Sequence, residues 1–116
     1  MTQPAQTILD LLGATPENAR LSNSVLVIID VQREYVDGAL PLAGINEALV
    51  VGGELLQRAR AATTPVVHVL HRGGGPLFDP QGPGFQPAAP LIPQAGEAVV
   101  VAQTDERHDA LCDRLR

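Results

Sequence analysis

The stretch Ser24-Val25-Leu26-Val27-Ile28-Ile29-Asp30 constrains this chain more than any other. Five consecutive aliphatic residues with no polar alternation read as a strand buried on both faces, the pattern of a parallel sheet covered by helices. Asp30 falls where that strand ends, and open α/β sheets hold their ligands beside the carboxyl ends of the strands. A carboxylate there either caps the following turn or does chemistry, and geometry alone leaves both open.

Two more strands follow. Asn46 opens an amphipathic helix whose stripe contains Leu49, Gly52, Leu56 and Ala59, with Glu47, Glu54, Gln57, Arg58 and Arg60 on the outer face. Thr64-Pro65 ends the connection, and Val66–Leu70 reads as the second strand of a βαβ unit, for which a right-handed crossover is expected. The Gly52-Gly53 pair costs about 1 kcal/mol per glycine relative to alanine, which a close approach of the helix to a strand would explain. Ala98–Val101 is the third strand. Between the last two, 12 of the 27 residues from 71 to 97 are Gly or Pro, with Phe78 and Phe85 as apolar anchors. A loop of that length is functional or disordered, and its prolines favour an ordered loop over the strand ends.

The flanks carry less information. Residues 4–13 predict a short helix packed on the outside of the sheet and ended by Gly13. Thr15-Pro16-Glu17 has the N-cap and first-turn proline of another turn. Thr104 to Asp109 predicts a polar turn into a last helix edged by Leu111 and Leu115.

Charge and cysteine content exclude several classes. The net charge is −5, and all eight basic residues are arginines, without a single lysine. Arg58, Arg60 and Arg72 are too scattered to make a face for a phosphate backbone, so no nucleic-acid partner is expected. Cys112 is the one cysteine, which forbids an intramolecular disulfide and points to a reducing, cytoplasmic setting. Neither a signal peptide nor an apolar run of membrane-spanning length is visible, so no membrane partner is expected.

The run from Val25 to Leu40, with Asp30-Val31-Gln32, the aromatic Tyr35 and the Gly38-Ala39-Leu40 tail, resembles the opening of the isochorismatase-like cysteine hydrolases. The likeness continues to about Val101, roughly the first half of such a domain. It implies a three-layer α/β/α fold around a parallel sheet, here a single, partial and truncated domain over residues 1–116. It also implies a mechanism in which an Asp after the first strand is the base for a thiol, a Lys after the third strand orients and polarises, and a downstream Cys at a helix start attacks. A thiol does need a base or cation beside it to ionise at neutral pH, and a helix N-terminus stabilises the thiolate further.

On that resemblance Asp30 is the catalytic base, and Gln32, Tyr35 and His71 are candidate substrate-binding residues. The lysine position falls at Ala102 or Gln103, neither of which supplies a cation. Arg107 is a poor substitute, because a planar fork does not replace a compact ammonium. Cys112, among Asp109, Asp113 and Arg114, does not stand in the family's cysteine motif and reads as a half-buried helix residue. His68 and His71 would point to opposite faces of a strand, so no metal site and no cofactor are expected. His68 reads as a core or sheet-face residue, His108 as exposed, and Asp37 and Asp79 as turn residues.

Three functional readings follow. The chain is part of a hydrolase for a small amide, ester or vinyl ether, its remainder lost by truncation, frameshift or cleavage; or it is an inactive relative serving as a binding or assembly scaffold; or it is a ligand-binding domain of another lineage. Three strands leave an edge and apolar surface unprotected, so a homo-oligomer or a complementing fragment is expected as partner, beside a small-molecule substrate.

Overall fold

The structure, a computed structural model, describes residues 4–103. Arg107, His108, Cys112 and the expected last helix lie outside the described residues.

Three parallel strands, β1 (Leu26–Ile29), β2 (Val66–Arg72) and β3 (Ala98–Gln103), form one sheet in the order β1-β2-β3. Leu26 pairs with Val66 and Ile29 with Val69, while Val67 pairs with Ala98 and Arg72 with Gln103. The parallel α/β architecture expected from the sequence is present, with β2 and β3 each running two residues past their apolar cores.

The long helix α2 (Ile45–Ala61) lies between β1 and β2 in the chain and buries Leu49, Gly53, Leu56 and Ala59. That spacing of three to four residues is one face of a 3.6-residue period. Leu56 and Ala59 are fully buried, in one cluster with Ile28 of β1, Val66 of β2, and Ala88 and Leu91 of the connection to β3. The glycine pair has a different cause from the one expected. A Cβ on Gly53 would lie 2.5 Å from Pro90 Cγ, and one on Gly52 would lie 3.2 Å from Leu91 Cδ2. The helix is bare there to admit the loop, not a strand.

Burial of the sheet on both faces is not what the structure shows. Ile28 is buried beneath α2, but Val27 and Ile29, on the opposite face, are 47 % and 62 % exposed. One long helix among the described residues covers one face, and strand hydrophobicity carries no information about which segment covers the other. The first helix also departs from expectation. The chain forms α1 only over Ile8–Leu11, closed by a capping box in which Thr7 and Asp10 exchange hydrogen bonds. Ile8, Leu11 and Leu12 remain exposed rather than packed on the sheet, and Thr15-Pro16-Glu17 starts no helical turn.

The 71–97 segment is ordered against the strand ends, as its prolines predicted. Ala88 N–H donates to Val31 O at 3.0 Å and Arg33 N–H to Gln86 O at 2.8 Å. Gln32 and Pro87 form an antiparallel bridge, so the loop returns over the turn that follows β1.

Candidate functional site at the carboxyl ends of the strands

Asp30 terminates β1 in the left-handed region, at φ 58°, a conformation costly for a residue with a Cβ and common at functional positions. Its N–H donates to Val69 O at 2.9 Å, completing the pairing with β2, and its carbonyl accepts from Gln32 N–H at 3.0 Å. No hydrogen bond reaches its carboxylate from the described residues. The carboxylate is therefore not engaged as a turn cap, and it is half-exposed at the sheet edge where ligands bind.

Gln32, two residues on, is fully buried. Its Nε2 donates to His71 O and to Phe85 O, both at 2.9 Å, and its Oε1 accepts from His71 N–H at 2.8 Å. The side-chain amide mimics a strand peptide, continuing the sheet beyond Ile29 and tying β2 to the loop. Its donors are spent on protein carbonyls, so Gln32 sets the geometry around Asp30.

Tyr35 and His71 come together through Phe78. Each ring meets Phe78 edge-on, with centroids 5.1 Å apart, and Phe78 is buried. Phe78 is itself fixed by Glu34, a residue that motif reading passed over. Glu34 is 5 % exposed, and its carboxylate accepts Phe78 N–H at 2.8 Å and Ala39 N–H at 2.9 Å. A Cβ on Gly84 would come within 2.7 Å of that carboxylate, so the glycine is what lets the loop reach it. The signal was present in the alternation Asp30, Gln32, Glu34, three polar side chains on every second residue after a strand.

A second cluster of polar groups lies where β3 begins. Glu97, just before β3, accepts from Arg60 Nη2 at 2.8 Å and Arg60 Nε at 2.9 Å, from Gln94 N–H at 2.9 Å, and lies 3.0 Å from His68 Nε2. His68 is 1 % exposed, a core residue as expected. Arg60, placed on the outer face of α2 by its sequence pattern, instead folds back to clamp Glu97 and Ile92 O. The Arg60 pair holds the Glu97 carboxyl far below the usual glutamate range, and the N–H groups of Ala39 and Phe78 lower that of Glu34. Both carboxyls are thus harder to protonate folded than unfolded. Their stabilisation is complete above the ordinary value of 4.5 and is lost progressively below it, as pH falls towards and through their lowered folded values. Urea midpoints should accordingly change little from these groups between about pH 8 and 6 and drop below about pH 5. The Glu97→Gln variant should drop less steeply than wild type. Parallel acid profiles for the two proteins would refute the assignment.

Ala102 and Gln103, where the resemblance puts a lysine, end β3 beside His71 and Arg72. Strands are about 4.8 Å apart, so roughly 10 Å separates the β1 and β3 backbones, with β2 between. Among the described residues no group of three His, Cys, Asp or Glu side chains is close enough to hold a metal ion, and no helix is long and apolar enough to cross a membrane.

A parallel sheet with a helical crossover, an Asp-x-Gln turn at its first strand end and a carboxylate left open to the ligand edge define an open α/β domain with a strand-end site. The chain belongs to the isochorismatase family, since the sequence model of the isochorismatase domain matches residues 24–114. The match runs past Val101, where the motifs had ended the resemblance, and removes the reading of another lineage.

It is 41 % identical over 92 residues to the secreted isochorismatase effector Isc1 of Verticillium dahliae, covering 78 % of this chain and 48 % of that protein. The streptothricin hydrolase of Streptomyces noursei is 34 % identical over 82 residues, covering 70 % of this chain and 32 % of its own. Among solved structures, an isochorismatase of Pseudomonas putida superposes with a TM-score of 0.78 at 37 % identity, over 95 % of this chain and 60 % of that one. The chain spans about half the length, or less, of these curated relatives.

Proposed function

We propose that this chain supplies the base-bearing part of an isochorismatase-family hydrolase acting on a small amide, ester or vinyl ether. The observation that carries the reading is Asp30, held in the left-handed region at the end of β1 with its carboxylate free of hydrogen bonds from the described residues. On an amide or ester, Asp30 takes the proton of a cysteine thiol supplied by a complementing fragment, the thiolate attacks the carbonyl carbon, the proton passes to the departing amine or alcohol, and water then releases the acid from the acyl-enzyme. Gln32 and Glu34 hold the loop that faces Asp30, and Tyr35, Phe78 and His71 form an aromatic wall to receive substrate. No metal or cofactor is invoked.

The sequence contains no lysine, and a second copy of this chain has none either, so a cation of that kind comes through a complementing fragment. Cytoplasmic residence is supported by the single cysteine, although the relative in Verticillium dahliae is a secreted protein.

A panel of small amides and esters tests this. The 116-residue chain alone is expected to give no hydrolysis above the buffer rate. Mixed with the part of the Pseudomonas putida chain that it does not cover, it should hydrolyse a panel member. Asp30→Asn should then cut the rate by at least about a hundredfold. Turnover by the short chain alone that Asp30→Asn abolishes would contradict the need for complementation. The lack of any lysine also favours a second reading, an inactive scaffold, under which the mixture stays silent while still forming a complex.

A further inference from the structure

The carboxyl ends of β2 and β3 carry a feature that none of the expected site residues enters. An open cavity of about 440 Å³ is lined by Arg72, the Gly73–Gly75 turn, Asp79, Gln81 and Gln103, among others, within the size range of small-ligand sites. Its side chains come from the ends of two adjacent strands and the turn between them, since Arg72 and Gln103 are register partners.

Two opposite charges face this space without meeting. Among the described residues neither Arg72 nor Asp79 belongs to an ion pair. Asp79 Oδ1 is engaged by Gln81 N–H at 3.0 Å, which fixes the carboxylate while leaving Oδ2 available. Gly73, Gly74 and Gly75 contribute backbone alone to the lining. Cβ atoms on Gly74 and Gly75 would meet nothing within 4 Å, so a ligand approaches peptide groups there rather than side chains.

We infer that Arg72, Asp79 and the Gly73–Gly75 turn form a site for a small molecule with a carboxylate at one end and a hydrogen-bond donor at the other. Arg72 takes the carboxylate by charge-assisted hydrogen bonds, Asp79 accepts from the donor, and the glycines leave room between. The assignment rests on the strand ends being the substrate side. Its test is binding and needs no turnover, so it fails or survives separately from the hydrolase reading.

The probe is 4-hydroxybenzoate, titrated into the isotopically labelled 116-residue chain while the amide signals of Gly73, Gly74 and Gly75 are followed. Saturable shifts at these glycines are expected. The neutral 4-hydroxybenzamide, of the same shape, should bind at least about tenfold more weakly, and benzoate, which lacks the donor, a few-fold more weakly. Arg72→Gln should lose at least about tenfold for 4-hydroxybenzoate. Asp79→Asn should narrow the preference over benzoate, and Arg72→Lys should recover part of the affinity. Arg72 is exposed, and unchanged far-UV circular dichroism would show that its variants are folded. Equal affinity for the acid and the amide, wild-type affinity in Arg72→Gln, or no saturable shift at the glycines would each overturn the inference.

Discussion

Replacing Glu97 with alanine is expected to lower stability by about 2–3 kcal/mol and the melting temperature by roughly 10–20 °C. The pair with Arg60 is not sealed, since the Arg60 side chain is 21 % and that of Glu97 12 % exposed. Water reaching Arg60 therefore softens the loss below the 3–5 kcal/mol typical of a fully buried pair. What makes the substitution costly is the number of groups it strands. Arg60 Nε and Nη2, Gln94 N–H and His68 Nε2 all lose a partner together. Urea denaturation of Glu97→Ala, Arg60→Ala and the double variant would show it. The double variant should lie well short of the sum of the singles, because after one charge has gone the other has little left to lose. Strict additivity, or a Glu97→Ala loss under about 0.5 kcal/mol, would mean that the clamp is not formed.

Gln32 should rank beside it. Gln32→Ala leaves the peptide N–H and C=O of His71 and the C=O of Phe85 without their partner and opens a gap, at a cost of about 2–4 kcal/mol. The isosteric Gln32→Glu should be worse at neutral pH. It sets a carboxylate oxygen against two carbonyl oxygens that need a donor, in a site with no exposure to water. Burial beside carbonyls raises that carboxyl's pKa, so the deficit of the variant relative to wild type should shrink as pH falls and the group protonates. A Gln32→Glu protein as stable as wild type at pH 7 would show that the amide does not bridge β2 and the loop. In both variants limited proteolysis should cut the 73–97 segment first, because that is the part the amide ties down.

The two residues were legible to different degrees. Gln32 stands in a recognisable motif, but the motif marks it for substrate, and only the folded chain shows its amide consumed by His71 and Phe85. Arg60 reads as a solvated helix position, and nothing local marks Glu97 as its partner. Their pairing spans 37 residues and leaves no local periodicity to detect. Glu34 had a local signal in its alternation with Asp30 and Gln32, yet its partner Phe78 is 44 residues away.

What the sequence determined by itself was the set of central elements whose signals come from near neighbours. The aliphatic run into Asp30, the 3.6-residue stripe of α2 and the valine-rich third strand specify three strands and a crossover helix, because periodicity and side-chain branching act over a few residues. The run from Val25 to Leu40, with its Asp-Val-Gln signature and Gly-Ala-Leu tail, likewise carries the resemblance to the family. The tertiary structure alone decided which sheet face α2 covers, why the helix carries two glycines, and how Arg72 and Asp79 come to line one cavity. Those depend on long-range closure of a Gly- and Pro-rich loop onto the strand ends, where contacts are set by the path of the whole chain.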